Sequence, residues 1–237
     1  MMNDTLGDRF KTYYEHPAEH YLTRRTPVIV RMDGRAFHTF TSTMQRPFDP
    51  KFIEAMVLAG LYVYRSMQGC KMAYIQSDEA SFVLTDYDGL ETEAWFGYRK
   101  SKIESIAAAM MSVSFGRAMR LAGHNALPVF DARAFNVPES EVANYFLWRA
   151  KDWHRNSVQM LAQAHFAHTA LQGKSIVQCL RMLSNARHPW KNLDDVERFG
   201  TFLVRNMAAP DDVLEIDDCL PCYKEIAKLW EGVNPKT

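Results

Sequence analysis

Nothing in this sequence leans strongly to one side. Its 237 residues carry 28 Lys+Arg against 28 Asp+Glu, a formal net charge of zero. That excludes a chain that coats nucleic acid through bulk charge, although 28 cations can still gather on one face. Cysteine is scarce, at 4 residues, so no disulfide framework holds the chain together and a reducing cytoplasm is the expected compartment. Long apolar runs are missing: the longest charge-free apolar stretch, residues 106–115, is about half of the roughly 20 residues a membrane span needs. The opening MMNDTLGDRF lacks the basic-then-apolar order of a signal peptide. No repeat and no low-complexity segment is present. What the chain does have is 47% apolar residues, enough to bury a core and exclude global disorder. Its length suits one large domain or a compact domain with an appendage.

The apolar pattern changes period along the chain. Residues 27–33, a β-branched run opened by Pro27 and closed by Asp33-Gly34, predict a buried strand feeding a tight turn. From Asp49-Pro50 the spacing becomes helical through Phe52, Ile53, Met56, Val57, Leu61, Tyr64 and Met67, with Asp49 as cap, Pro50 at the first helical position and Gly69 as a stop. Residues 71–84 hold two short apolar runs around Gln76-Ser77-Asp78-Glu79, a hairpin with an acidic tip. Residues 97–121 predict a long helix and 128–135 a fourth strand. The order β-α-β-β-α-β is the split, ferredoxin-like arrangement of an α+β fold. Beyond Pro138 the chain reads as helical over 139–173 (one helix or two), 174–185 and 217–230, with a short strand over 197–207. The expected organisation is a catalytic core over residues 1–137 and a mostly helical extension over 138–237 packed on it, or one domain comprising both.

The residues that carry chemistry sit at two turns. In a βαββαβ sheet the first and third strands are the central pair, so Asp33 and the Asp78-Glu79 tip can come close. Crowded carboxylates repel, and a divalent ion removes that conflict. Mg²⁺ is held by one or two carboxylates plus substrate phosphates, and two such ions serve phosphoryl transfer. Gly34, without a Cβ, lets its carbonyl approach a metal and its amide a phosphate. Arg31, Arg35, His38, Arg99, Lys100 and Lys102 are available for triphosphate oxygens, or form a solvated basic face. Asp-Gly and Ser-Asp-Glu also serve as ordinary turn residues. Phe37 and Phe40 read as core.

Arg31-Met-Asp-Gly-Arg-Ala-Phe-His-Thr-Phe40 followed by Gln76-Ser-Asp-Glu-Ala-Ser-Phe82 resembles the signature pair of the tRNA-His guanylyltransferase superfamily, the 3′-to-5′ nucleotide-adding polymerases. The likeness continues through Phe130-Asp-Ala-Arg133, Trp148-Arg149…Asp152-x-His154-x-Asn156, Gly173-Lys174 and Arg198-Phe-Gly-Thr201, covering roughly residues 5–207. The resemblance implies a polymerase-palm-like core carrying two Mg²⁺ ions. It implies metal ligation by Asp33, the Gly34 carbonyl and Asp78. Nucleotide contacts fall to Asp33, Gly34, Arg35, Ala36, Phe37, His38, Ser77, Asp78, Arg99, Lys102, His154 and Asn156, with Asp33, Asp78, Lys102 and, in support, Glu79 as catalytic residues. The implied substrates are tRNA with GTP and ATP or other NTPs, and the implied assembly a homotetramer. Where the eukaryotic pattern reads His-x-Asn-Asn, this chain reads His154-Arg-Asn156-Ser157. That variant is similar to the bacterial, archaeal and phage-type relatives that repair truncated tRNA 5′ ends against a template. Non-templated G addition to tRNA-His, a catalytically idle RNA-binding module and cyclase-type chemistry on the same palm are the alternatives.

Other candidates carry less. Cys219-x-x-Cys222 is half a zinc site with no second pair, and His165 and His168 lack a carboxylate at matching spacing. Met110-Met111 reads as core filler. Trp148 and Trp153 read as core in preference to base-stacking platforms, and Arg149 and Arg155 as phosphate contacts.

Overall fold

The computed structural model describes residues 5–125, 127–206, 208–209 and 212–234. Its elements, in chain order, are β1 (Val28–Gly34), α1 (Pro50–Ser66), β2 (Cys70–Gln76), β3 (Glu79–Leu84), α2 (Lys100–Leu121), β4 (Phe130–Asn136), α3 (Val142–His165), α4 (Ile176–Asn185), β5 (Thr201–Arg205), β6 (Val213–Ile216) and α5 (Tyr223–Val233). The strands form one antiparallel sheet in the order β4-β1-β3-β2-β5-β6. The first four strands and the two helices α1 and α2 are the βαββαβ unit expected from the sequence, with β1 and β3 at its centre.

Local signals explain the element ends. Asp49 accepts from the amides of Lys51 and Phe52, and Pro50 occupies the first helical turn of α1. Ser175 and Gln178 form a reciprocal capping box on α4. The long helix begins at Lys100, three residues later than expected, because Phe96, Gly97 and Tyr98 take positive φ in a kinked turn ahead of it.

Alternation along β1 assigns the two faces of the sheet. Val28, Val30 and Met32 pack against α1 and α2 with Phe82, Phe115 and Phe130. Ile29 packs on the opposite side with Val83, Tyr74, Phe146 and Trp230, under α3 and α5. The central strands β2 and β3 are therefore buried on both faces. The chain beyond residue 137 adds two strands to this sheet as well as helices: β5 pairs with β2 and β6 with β5. The strand expected over 197–207 starts later, at Thr201: residues 197–199 belong to a short helical turn, Asp195–Phe199, with β5 following it, and Met207 lies outside the described residues. β6 was not expected, and α5 starts at Tyr223, six residues later than the predicted 217. Among the described residues, no helix is long and apolar enough to cross a membrane.

Candidate active site

The site forms where β1 ends and the β2–β3 hairpin turns. Asp33 stands opposite Glu79 on one side and Asp131 on the other. The Gly34 amide donates to the Asp78 carbonyl at 3.0 Å, tying the two acidic turns together. Ser77, at φ 47°, takes a left-handed position in the hairpin turn, which leaves Asp78 facing the cleft next to Asp33. Burial is the main force raising the Asp78 carboxyl to about 6; the nearby negative charges of Asp33 and Glu79 add to it. A half-buried acid next to a second acid is a place for a cation.

Gly34 has a steric role beyond the one its sequence suggested. A Cβ there would lie 2.4 Å from the Phe37 ring. That ring packs among Phe40, Phe52, Phe115 and Phe130, so the side chain of Phe37 is core, and only its backbone is left for a nucleotide. Ala36 turns the chain with φ 56°, and a short helical turn, Phe37–Phe40, follows; its first amides have no intrahelical acceptor.

Two adjoining cavities meet at Ser77 and Asp78. The larger, about 610 Å³, runs under Gly34, Ala36, Phe37 and His38 between the loop before α1 and α3, with apolar walls from Met44, Phe52 and Met56. The smaller, about 350 Å³, lies under α3 and holds Asp33, Asp78 and Glu79 together with Asn156, Gln159 and Gln163. Both are walled by Gln76 and Trp153. The Gln76 Oε1 and Trp153 Nε1 atoms are buried and have no hydrogen-bond partner within the protein. Such atoms are costly unless something else satisfies them, and here they border a substrate-sized space.

Glu79 is not a free acid. Arg149 Nε and Nη2 donate to its two carboxylate oxygens at 2.6 Å each, with both side chains only 8% exposed, and Nη2 also reaches Asp152 at 3.3 Å. Arg149 was expected at phosphates; its guanidinium is instead consumed inside the protein, and it positions the acidic hairpin against α3. Burial raises the Glu79 carboxyl and the Arg149 charge opposes that rise. Arg155 is drawn to Asp152 as well.

Several expected contributors lie elsewhere. Ser112 of α2 accepts from the Phe130 amide beside Gly34, and Glu104 accepts from the Ala134 amide further along β4. Lys102 is ten residues before Ser112, about 15 Å of helix away from the site. It lies over the Phe96 ring, and Arg99 pairs with Glu19 at 3.1 Å. Within one chain, therefore, Arg99, Lys100 and Lys102 face the opposite end of the sheet. The spacing had placed these cations on one helix start correctly, but not the direction in which that helix crosses the sheet. His154 packs edge-on against Trp190, half-buried and away from both cavities; Asn156 faces the carboxylates. Arg35 is exposed at the turn, its amide donating to Val129.

Of the two tryptophans on α3, Trp153 is core at 3% exposure, but Trp148 is 54% exposed, contrary to the core reading. His165 stacks on His188 at 3.7 Å and not with His168. All four thiols are free. Met111 is core, as read. The residues sequence reasoning missed are Gln76, Gln159, Met160 and Gln163. Their signal was available, because Arg149, Trp153, Asn156, Met160 and Gln163 recur at three- and four-residue spacing on one face of α3.

Among the described residues, no group of three or more His, Cys, Asp and Glu side chains is arranged to hold a metal by itself. The available donors are two carboxylates and a backbone carbonyl, all oxygen. That set fits Mg²⁺, which takes few protein ligands and completes its shell with water and substrate phosphates.

An antiparallel βαββαβ palm with paired acids at the centre of its edge, facing a nucleotide-sized cleft, defines a nucleotidyltransferase class of site. Residues 7–138 match the family described as Thg1, tRNAHis guanylyltransferase, and the chain belongs to that family. A bacterial tRNA(His) guanylyltransferase (Thg1)-like protein solved in complex with ATP is similar at 35% identity and a TM-score of 0.89, covering 97% of this chain and 99% of that one. A second such bacterial structure, in complex with GTP, gives 32% identity and a TM-score of 0.81 over 97% and 99% of the two chains. The tRNA(His) guanylyltransferase of Debaryomyces hansenii is 31% identical over 162 residues, 63% of this chain and 58% of that protein.

Proposed function

We propose that this chain is a Mg²⁺-dependent nucleotidyltransferase that extends the 5′ end of tRNA in the 3′-to-5′ direction, repairing truncated ends against a template. The observation that carries the reading is the 3.0 Å hydrogen bond from Gly34 to Asp78, which turns Asp33 and Asp78 into one cleft beside a 610 Å³ cavity. Similar chains that bind ATP and GTP support the choice of substrates. The His154-Arg-Asn156-Ser157 variant supports templated repair over G addition to tRNA-His.

In this reading the 5′-monophosphate of the RNA attacks the α-phosphate of an NTP and releases pyrophosphate. The 3′-hydroxyl of an incoming NTP then attacks the activated 5′-phosphate and displaces the nucleoside monophosphate. Asp33, Asp78 and the Gly34 carbonyl would hold Mg²⁺, which when bound neutralises phosphate charge and lowers the pKa of an attacking hydroxyl. The chain's own work is positioning and charge placement. The apolar walls of the larger cavity take base and ribose, and the amides after Ala36 face the triphosphate. The buried Gln76 and Trp153 polar atoms orient the nucleotide, and the Arg149–Glu79 pair fixes the hairpin that carries Asp78. Arg99 and Lys102 are not assigned to the triphosphate within the chain. The enzyme is proposed to act in a reducing cytoplasm as a homo-oligomer.

The test offers the protein a 5′-labelled tRNA lacking its first nucleotide, a complete tRNA-His transcript, and NTPs alone. Extension of the truncated tRNA by the nucleotide complementary to its partner supports the proposal. G addition to the complete tRNA-His alone would establish the guanylyltransferase alternative, a cyclic nucleotide would establish cyclase chemistry, and binding without product an idle module.

A further inference from the structure

Trp148 is a large apolar ring left 54% exposed on a chain that buries Trp95, Trp153 and Trp230. It projects from α3 one residue before Arg149, whose guanidinium lies 4.6 Å from its centroid, and the Arg31 guanidinium lies over the same ring at 6.0 Å. Tyr145 meets it edge-on at 5.9 Å. The ring is thus held in place by these three neighbours while more than half of it stays open to solvent.

Its position relative to the acids follows from the strand. Arg31 and Asp33 are two residues apart on β1 and share the α3 face of the sheet, so their backbones are about 6.6 Å apart. Arg149 is neutralised by Glu79, whereas no carboxylate lies within ion-pair distance of Arg31 among the described residues, and its Nε is buried without a partner. On the edge strand β4, Arg133 is 56% exposed and meets only Asp131, loosely, at 3.7 Å. An aromatic plane with an unpaired cation between it and the carboxylates matches a nucleotide whose base stacks and whose phosphate points at the reacting centre.

We propose that Trp148 is the stacking platform for the 5′-terminal base of the RNA strand, with Arg31 taking the adjoining phosphate. This rests on the tRNA-extending reading above. It places RNA on the β4 side of α3 and the incoming nucleotide in the larger cavity on the other side of the Ser77-Asp78 turn. The two substrates then meet at Asp33 and Asp78 from opposite directions, as a displacement between them requires.

The experiment compares wild type, Trp148→Ala and Trp148→Phe for binding of 5′-monophosphorylated tRNA lacking its first nucleotide, and of the same tRNA with an abasic 5′-terminal position. Because Trp148 is half exposed, both variants are expected to keep the wild-type melting temperature. Loss of one stacked base weakens binding by about five- to 150-fold. Trp148→Ala is expected to show that loss with the intact tRNA and none with the abasic one, Trp148→Phe to restore most of it, and the NTP KM to stay at the wild-type value. Unchanged tRNA affinity in Trp148→Ala overturns the assignment. So does a rise in the NTP KM alone, which would give the ring to the incoming nucleotide. A wild-type protein that extends no tRNA would sink the proposed function, while the binding titration, which needs no turnover, still decides the stacking.

Discussion

Removing the charge at Asp78 should make the metal-free protein more stable while abolishing its activity. Burial and the neighbouring acids hold the Asp78 proton on up to about pH 6, against 3.8 for a free aspartate. Below 3.8 the group is neutral whether folded or unfolded, and the folded state carries no penalty. As pH rises through about 6 the unfolded chain has already ionised and the folded one is forced to follow, so that stability is lost. At about 1.4 kcal/mol per pH unit the full penalty is about 3 kcal/mol. Asp78 retains some solvent, so about 2 kcal/mol is a fair expectation, or roughly 4–8 °C in a chain of this size. Asp78→Asn keeps the backbone carbonyl that accepts from Gly34. Melting curves in EDTA at pH 8 should place Asp78→Asn above wild type, and the gap should close by pH 4. Adding Mg²⁺ with GTP should raise the wild type and leave the variant unmoved, because only the wild type keeps both ligands. A variant that melts at or below wild type at pH 8 without metal, or a gap that persists at pH 4, refutes the reasoning.

Other consequences follow from the same geometry. Arg149→Met strands Glu79 as a buried charge and should cost about 3–5 kcal/mol in denaturant unfolding, whereas Arg149→Met with Glu79→Gln should recover most of it; equal losses in the single and double variants would contradict an ion pair. Gly34→Ala drives a methyl into the Phe37 ring at 2.4 Å, so a loss of about 1–3 kcal/mol is expected, with a larger fall in kcat than in NTP affinity as the two turns part. Gly200, at φ 72°, would place a Cβ 2.7 Å from the Ile75 carbonyl; Gly200→Ala should lower the melting temperature by several degrees, and an unchanged value would show that the β2–β5 edge adapts.

The βαββαβ unit was legible because its signals are local: a β-branched strand after Pro27, a capped helix at Asp49-Pro50, a two-residue acidic hairpin. The convergence of Asp33 and Asp78 was legible too, since strand order alone makes β1 and β3 neighbours. What the sequence hid was long-range. Nothing near Glu79 tells that Arg149, 70 residues on, occupies its carboxylate and removes both from phosphate chemistry. The cations at the start of α2 belong to a convincing cluster, but the crossing direction of a helix is set by packing, and it carries Arg99 and Lys102 to the other end of the sheet. β6 is short and exposed along much of its length, so it leaves no alternating pattern to read. Trp148 and Trp153 are five apart on one helix; the turn of that helix buries one and exposes the other.

The central claim is that the bends ending β1 and joining β2 to β3 share a divalent ion next to a bound nucleotide. Anomalous diffraction from crystals grown with Mn²⁺ and GTP tests it directly. The account predicts a peak about 2.1 Å from oxygens of both Asp33 and Asp78, lost in Asp78→Asn. Manganese bound by only one of these acids, or anywhere else in the protein while GTP occupies the cleft, would contradict it.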